Sequence, residues 1–127
     1  SPPFTEKSAT RALSPYGQLK LDQESLAVGL VSHGLSVLIG RITNLYGPGQ
    51  KLDKMQGLLS HLALARWSGR PVPIYVPLET LRDYIYVDDC ARLILTSLER
   101  LVDESAGQGL AVTKILGSGE GTTISRL

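Results

Sequence analysis

The chain has 127 residues, of which 43% are hydrophobic and 20% are charged, and its formal net charge is +1. This composition indicates one ordinary globular domain and excludes an intrinsically disordered chain. Acidic and basic residues are interspersed without a basic cluster, so no nucleic-acid partner is expected. The apolar stretches are interrupted within about ten residues, which is too short to cross a bilayer, so no membrane partner is expected either.

The cysteine and histidine content bears on the cellular compartment and on metal binding. The single cysteine, Cys90, cannot form an intramolecular disulfide and is typical of a reducing compartment, so we expect a cytoplasmic protein. His33 and His61 have no cysteine or acidic residue at ligand spacing, so no metal site is predicted. The chain starts at Ser1 and residues 122–127 read as the start of a helix, so we expect a fragment of a longer protein.

The first half of the chain is predicted to begin with a helix. Ser14 is a good N-cap, Pro15 suits the first helical position, and Gly34 can end the helix in a left-handed conformation. The pattern then predicts a strand, a loop and a second helix, at residues 35–39, 46–49 and 53–68.

The second half continues the alternation of strand and helix. Strands are predicted at residues 72–76, 84–87 and 110–116, the first interrupted by prolines. A helix capped by Asp88 or Asp89 is predicted to run to about Val102, and a turn at 117–121 precedes a last helix start at 122. This order favours an α/β fold with a parallel sheet.

Tyr16 and Lys20 are the first candidate for chemistry. Their spacing on the first helix places both side chains on one face, with Cβ atoms about 5–6 Å apart. A nearby cation stabilises a phenolate, which suits a tyrosine that acts as an acid and base. The same spacing also occurs on ordinary amphipathic helix surfaces, so its meaning depends on the motifs that follow.

Three later segments accompany this pair in a fixed order. They are Arg41-Ile42-Thr43-Asn44-Leu45-Tyr46-Gly47-Pro48-Gly49, Pro73-Ile74-Tyr75 and Arg82-Asp83-Tyr84-Ile85-Tyr86-Val87-Asp88-Asp89-Cys90-Ala91. With the flanking segments 4–6 and 116–121, the series resembles the extended short-chain dehydrogenase/reductase family, specifically the NAD-dependent nucleotide-sugar epimerases and dehydratases. The resemblance implies the catalytic half of a Rossmann-like parallel sheet together with part of a smaller α/β substrate domain.

The resemblance also implies roles for five residues. Tyr16 would transfer the proton of a sugar hydroxyl while hydride passes between the sugar and nicotinamide. Lys20 would bind the nicotinamide ribose, so both residues contact the cofactor, NAD or NADP, and Thr43 would lie near it as well. Asn44 and Arg82 would bind a nucleoside-diphosphate sugar, the guanidinium pairing with the diphosphate.

Each of these roles has a simpler alternative. Asn44 could be an ordinary turn residue, and Arg82 could form a surface ion pair with Asp83. Arg41 is interpreted as structural. The turn at 117–121 resembles a phosphate-binding loop, but its glycine spacing and Glu120 favour a structural role.

Family organisation implies four regions. Residues 1–50 would belong to the catalytic half of the Rossmann-like domain, and 51–81 would start the substrate-binding region. Residues 82–109 would return to the Rossmann-like domain, and 110–127 would form a truncated substrate-domain strand and helix start. Family members also commonly form homodimers through the helix that carries the tyrosine.

The family's glycine-rich dinucleotide turn and its catalytic Ser or Thr have no counterpart ahead of Tyr16. We therefore expect the parent protein to be an NAD(P)-dependent epimerase or dehydratase, and the isolated chain to have little or no activity. The alternative is a non-enzymatic nucleotide-sugar binding or assembly module that lacks the cofactor-binding half.

Overall fold

The computed structural model describes residues 3–52 and 57–127. Its three helices are α1 (Pro15–Gly29), α2 (Leu58–Ser68) and α3 (Val87–Ser105). Its five strands are β1 (Val37–Ile42), β2 (Asn44–Tyr46), β3 (Leu81–Tyr86), β4 (Ala111–Leu116) and β5 (Gly121–Thr123), and two short 3₁₀-helices cover Leu30–His33 and Ile124–Arg126. The predicted α/β class is confirmed.

Helix α1 begins where the sequence predicts, but it ends at Gly29 and continues as a 3₁₀-helix up to the predicted end at Gly34. Ser14 has an extended backbone, and its Oγ accepts a hydrogen bond of 3.1 Å from the backbone N–H of Gly17. Pro15 follows as the first helical residue, where the absence of an N–H costs nothing. The 3₁₀-helix after α1 ends at Gly34, whose φ of 78° favours glycine.

The strands form two small sheets. β1 pairs with β4, while β3 lies between β2 and β5. β2 runs parallel to β3, with Asn44 opposite Tyr84, whereas β5 runs antiparallel to β3, with Leu81 opposite Thr123. The predicted parallel pairing is therefore present, and β5 adds an antiparallel edge strand.

Two predicted elements are wrong. Residues 72–76, all of which the structure describes, form no strand, since Pro71 and Pro73 carry no N–H to donate to a ladder. The helix start predicted at residue 122 is instead β5, which pairs with β3 and leads into a single 3₁₀ turn. Pairing to a neighbouring strand thus outweighs the local helix signal.

Other boundaries move by a few residues. The strand predicted at 35–39 is β1, displaced toward the C-terminus, and β3 starts three residues before the predicted strand. α3 begins at Val87, so Asp88 and Asp89 lie in its first turn rather than at its N-cap. α2 begins at Leu58, and the start predicted at Asp53 lies outside the described residues.

The chain divides into two compact units. The first comprises the described residues up to Arg41 together with Ile94–Ile115, and the second comprises Ile42–Leu93 with Leu116–Leu127, apart from residues 53–56. The buried hydrophobic residues among those described are Leu101 in the first unit and Ile85, Cys90, Leu116 and Ile124 in the second. Cys90 is thus a small residue of the core. Within the described part of the chain, no helix has the length and apolar character needed to cross a bilayer.

Candidate active site

Tyr16 and Lys20 lie on the solvent-exposed face of α1. Tyr16 is 68% exposed, and the Lys20 Nζ lies 5.5 Å from the centroid of its ring. Lys20 also donates a hydrogen bond of 3.1 Å to Oε1 of Gln23. An ammonium carries three hydrogens, so two remain for a ligand. The one-face geometry predicted from the spacing is confirmed.

An ion pair holds α1 against β1 one turn beyond Lys20. The Arg41 guanidinium donates from Nε to Glu24 Oε1 at 2.9 Å and from a terminal nitrogen to Oε2 at 2.7 Å. Both side chains are half-buried. The hydrogen bonds from Arg41 hold the pKa of Glu24 below its ordinary value despite partial burial, and those to Glu24 raise the pKa of Arg41. The structural role predicted for Arg41 is confirmed.

Asp83 on β3 is the common hydrogen-bond acceptor of a second group of polar residues. Its Oδ1 accepts hydrogen bonds from Thr43 Oγ1 at 3.1 Å, from the Ser118 backbone N–H at 2.8 Å and from Ser118 Oγ at 3.1 Å. Its Oδ2 accepts from the backbone N–H of Gly119 at 2.9 Å. Its backbone carbonyl accepts from Asn44 Nδ2 at 2.8 Å. We call Thr43, Asn44, Asp83, Ser118 and Gly119 the Asp83 cluster.

The Asp83 carboxyl is held in its charged form. Partial burial raises its pKa, but hydrogen bonds from the N–H groups of Ser118 and Gly119 and from the hydroxyls of Ser118 and Thr43 lower it by more. The net pKa lies below the ordinary value. A carboxylate that accepts several hydrogen bonds in this way stays ionised at neutral pH.

The glycine-rich turn at 117–121 binds an anion that belongs to the chain itself. The consecutive N–H groups of Ser118 and Gly119 both point at the Asp83 carboxylate, as in a backbone nest. A Cβ on Gly117 would lie 2.7 Å from both Asp83 Oδ2 and Thr43 Cγ2, so the close approach requires glycine. These contacts agree with the structural role predicted for the turn, because its amides are already used.

Arg82 lies exposed on β3 beside this cluster. No ion pair links it to any carboxylate in the described ranges 3–52 and 57–127, so the Arg82–Asp83 pair considered as an alternative does not form. Its charge acts on Tyr84, where burial raises the pKa and Arg82 lowers it by less, so the Tyr84 pKa lies above its ordinary value.

The structure therefore brings the predicted residues together in two local groups. Tyr16 and Lys20 meet in the first unit, and Thr43 and Asn44 both bind Asp83 in the second. Sequence reasoning missed Asp83 and Ser118 as participants. Asp83 follows Arg82 in a recognised motif, but its partners lie 35–40 residues away in the chain, where no local pattern could indicate them.

The model of the NAD dependent epimerase/dehydratase family matches residues 1–112. The chain belongs to this family. It is 31% identical over 127 residues to the dTDP-4-dehydro-6-deoxyglucose reductase of Escherichia coli, an alignment that covers 98% of this chain and 38% of the relative. It is 30% identical over 119 residues to the dTDP-L-rhamnose 4-epimerase of Burkholderia thailandensis, covering 87% of this chain and 33% of that protein.

Solved structures show the same likeness. The UDP-glucose 4-epimerase from Brucella ovis in complex with NAD superposes with a TM-score of 0.76 at 31% identity, covering 98% of this chain and 41% of the neighbour. MoeE5 in complex with UDP-glucuronic acid and NAD gives a TM-score of 0.75 at 31% identity, covering 95% of this chain and 38% of MoeE5. The family fold, a Rossmann-like α/β arrangement, is thus confirmed, and the chain spans less than half the length of these relatives.

Proposed function

We propose that the chain is part of an NAD(P)-dependent nucleotide-sugar epimerase or dehydratase that uses Tyr16 and Lys20 for proton transfer. The observation that carries this proposal is the Lys20 Nζ at 5.5 Å from the ring centroid of the exposed Tyr16. Family membership supports it, as do relatives named for dTDP-sugars and structural neighbours in complex with NAD. Epimerase is our preferred reaction, because no convincing additional acid and base lie beside Tyr16 in the sequence.

In this mechanism Tyr16, in its phenolate form, accepts the proton of a sugar hydroxyl and later returns it from the phenol so formed. Its exposure lets a substrate approach, and the Lys20 ammonium places a positive charge beside its ring. When bound, NAD or NADP supplies the hydride acceptor. The remaining ammonium hydrogens of Lys20 bind the cofactor ribose, and the Glu24–Arg41 pair keeps the helix that carries both residues in place.

The second unit supplies the proposed substrate contacts. Arg82 is exposed and has no carboxylate partner among the described residues, so its guanidinium can pair with a diphosphate. Asn44 donates one amide hydrogen to Asp83, which leaves its second hydrogen and its carbonyl oxygen for the nucleoside-diphosphate sugar. Thr43, whose hydroxyl donates to Asp83, is assigned to the cofactor side.

The chain alone is proposed to have little or no turnover. The glycine-rich turn at 117–121 does not fit a cofactor pyrophosphate, because Asp83 occupies the N–H groups of Ser118 and Gly119. The dinucleotide cradle and the catalytic Ser or Thr would then lie in another part of the parent protein. We infer a cytoplasmic location from the single buried Cys90.

Exposed apolar side chains on and beside α1 support the inferred homodimer. Leu13 is 87% exposed and Leu26 is 75% exposed, values that favour burial against another surface. The same feature favours the second candidate function, a nucleotide-sugar binding or assembly module without catalysis.

Calorimetric titration of the purified chain with UDP, dTDP and NAD tests the proposal. We expect a nucleoside diphosphate to bind and NAD to show no tight binding. Arg82→Ala should weaken diphosphate binding about tenfold, as loss of a charge-assisted hydrogen bond does. Arg100→Ala is the matched control, since Arg100 is also exposed, on α3.

Each result of these titrations tests one part of the proposed function. If Arg82→Ala binds the diphosphate as tightly as the unaltered chain, the role of Arg82 is wrong. Tight NAD binding or detectable turnover of a nucleotide sugar by the chain contradicts the proposed inactivity. If the chain binds no nucleoside diphosphate, the assignment of Asn44 and Arg82 to a substrate site is wrong.

A further inference from the structure

Asp83 accepts hydrogen bonds from two adjacent residues of the second unit, at the junction of β1 and β2. Thr43 is assigned to the cofactor, and Asn44 is assigned to the substrate. Its carboxylate accepts the Thr43 hydroxyl at 3.1 Å, and its backbone carbonyl accepts the Asn44 side-chain amide at 2.8 Å. Asn44 also lies opposite Tyr84 in the parallel ladder, so β2 and β3 are aligned at this point. One residue thus fixes two neighbouring side chains through separate acceptors.

The carboxylate is saturated by donors that carry no charge. Two hydroxyls and two backbone N–H groups, from Thr43, Ser118 and Gly119, point at its oxygens. Asp83 therefore needs no cation to satisfy it, and the described part of the chain shows no ion pair between it and Arg82. The adjacent guanidinium keeps its donors for another anion.

We propose that Asp83 is a positioning residue of the nucleotide-sugar site: it orients Thr43 and Asn44 and, being saturated by neutral donors, leaves Arg82 unpaired for the diphosphate. This role rests on the function proposed above. Asp83 does not touch the reacting atoms. It acts through the residues that it holds.

Whether Asp83→Asn strengthens or weakens diphosphate binding distinguishes a positioning role from a simple charge effect. Asp83→Asn removes a negative charge beside the binding site of an anion, so an electrostatic role alone predicts tighter diphosphate binding. The asparagine also turns an NH₂ group toward donors that need acceptors, which disturbs Thr43 and the turn. Positioning therefore predicts weaker binding, by about tenfold, in a chain that still folds.

Calorimetric titration of the 127-residue chain with UDP and dTDP measures this change. Glu120→Gln is the matched control, because it removes a carboxylate from the same turn and its side chain is exposed. The control should bind at least as tightly as the unaltered chain. Far-UV circular dichroism establishes that each variant is folded. If Asp83→Asn fails to fold, Ser118→Ala removes one donor to Asp83 and should weaken binding by a smaller factor.

NMR of the free chain provides a test without any ligand. We expect the Thr43 methyl signal to shift and broaden in Asp83→Asn, because the Thr43 hydroxyl donates to the altered side chain, and to stay unchanged in Glu120→Gln. The Asn44 side-chain amide donates to the backbone carbonyl, which the substitution keeps, so its signal should change less. An unchanged Thr43 signal would overturn the inference, as would unchanged or tighter diphosphate binding by Asp83→Asn. If the unaltered chain binds neither UDP nor dTDP, the proposed function fails, while the NMR comparison still decides whether the Asp83 side chain positions Thr43.

Discussion

The Tyr16/Lys20 pair and the Asp83 cluster place polar groups in opposite ways. Tyr16 is largely exposed, and Lys20 makes one side-chain hydrogen bond, to its near neighbour Gln23. Asp83, in contrast, accepts five hydrogen bonds from described residues through its carboxylate and carbonyl, and all five donors lie 35–40 positions away in the chain. The first arrangement leaves donors and acceptors available, whereas the second uses them internally.

This difference separates groups that react from groups that support. A side chain that exchanges protons with a substrate must be reachable, so it contributes little to folding. A carboxylate satisfied by four donors stabilises the fold and fixes its neighbours, but it has little capacity left for a ligand. Stability should therefore respond strongly to changes around Asp83 and weakly to changes at Tyr16.

The largest loss of stability is expected for Gly117→Ala. The added Cβ would lie 2.7 Å from Asp83 Oδ2 and Thr43 Cγ2, so the cluster must move apart. Overpacking of this kind lowers the free energy of unfolding by about 2 kcal/mol. Urea unfolding followed by circular dichroism measures it.

Gly29→Ala is the matched control for this substitution. Gly29 ends α1 with a φ of −56°, and an added Cβ meets nothing within 4 Å. Alanine is the better helix former, so stability should rise by about 0.5 kcal/mol. Equal effects of the two substitutions would show that the Asp83 cluster is not closely packed.

An intermediate loss is expected for Glu24→Gln. The change breaks the half-buried ion pair with Arg41 that holds α1 on β1, and it should cost about 1 kcal/mol. Glu99→Gln, at an exposed position on α3, should change stability by much less. If both variants unfold at the same urea concentration, the ion pair does not anchor the helix.

Acid should destabilise the chain through two carboxyl groups, Glu24 on α1 and Asp83 on β3. The folded pKa values of Glu24 and Asp83 lie below the ordinary values of 4.5 and 3.8, so each group contributes stability at neutral pH. That contribution is lost as the pH falls below these ordinary values and through the lower folded ones. Thermal unfolding between neutral pH and pH values in this acidic range should show the decline, and Glu24→Gln should make it shallower.

The smallest effect on stability is expected for Tyr16→Phe. The ring and its contact with Lys20 remain, and the removed hydroxyl is on an exposed residue, so unfolding should change by less than about 0.5 kcal/mol. In the complete enzyme that we propose, the same change should lower turnover by about 10²–10⁴-fold. A large loss of stability, or unchanged turnover, would contradict the assignment of Tyr16 as a reacting group.

The sequence predicted the features that depend on local chemistry. The Ser14 cap and Pro15 start α1, Gly34 ends the turn after it, and residues 111–116 form a strand as their apolar pattern indicates. The ordered motifs also indicated the family, which the family model confirms over residues 1–112. Each of these signals lies within a few residues or in the order of short segments, so no tertiary contact is needed to read it.

Tertiary structure decided what depends on residues far apart in the chain. The three-residue strands β2 and β5 exist through pairing with β3, and such short segments have no pattern of their own. In the sequence, Asp83 is visible only as one member of an Arg-Asp motif. Folding brings Thr43, Asn44 and the turn at 117–121 into hydrogen-bond contact with it. Hydrogen-bond partners 35–40 residues away are selected by strand register, and register is fixed only when the chain packs.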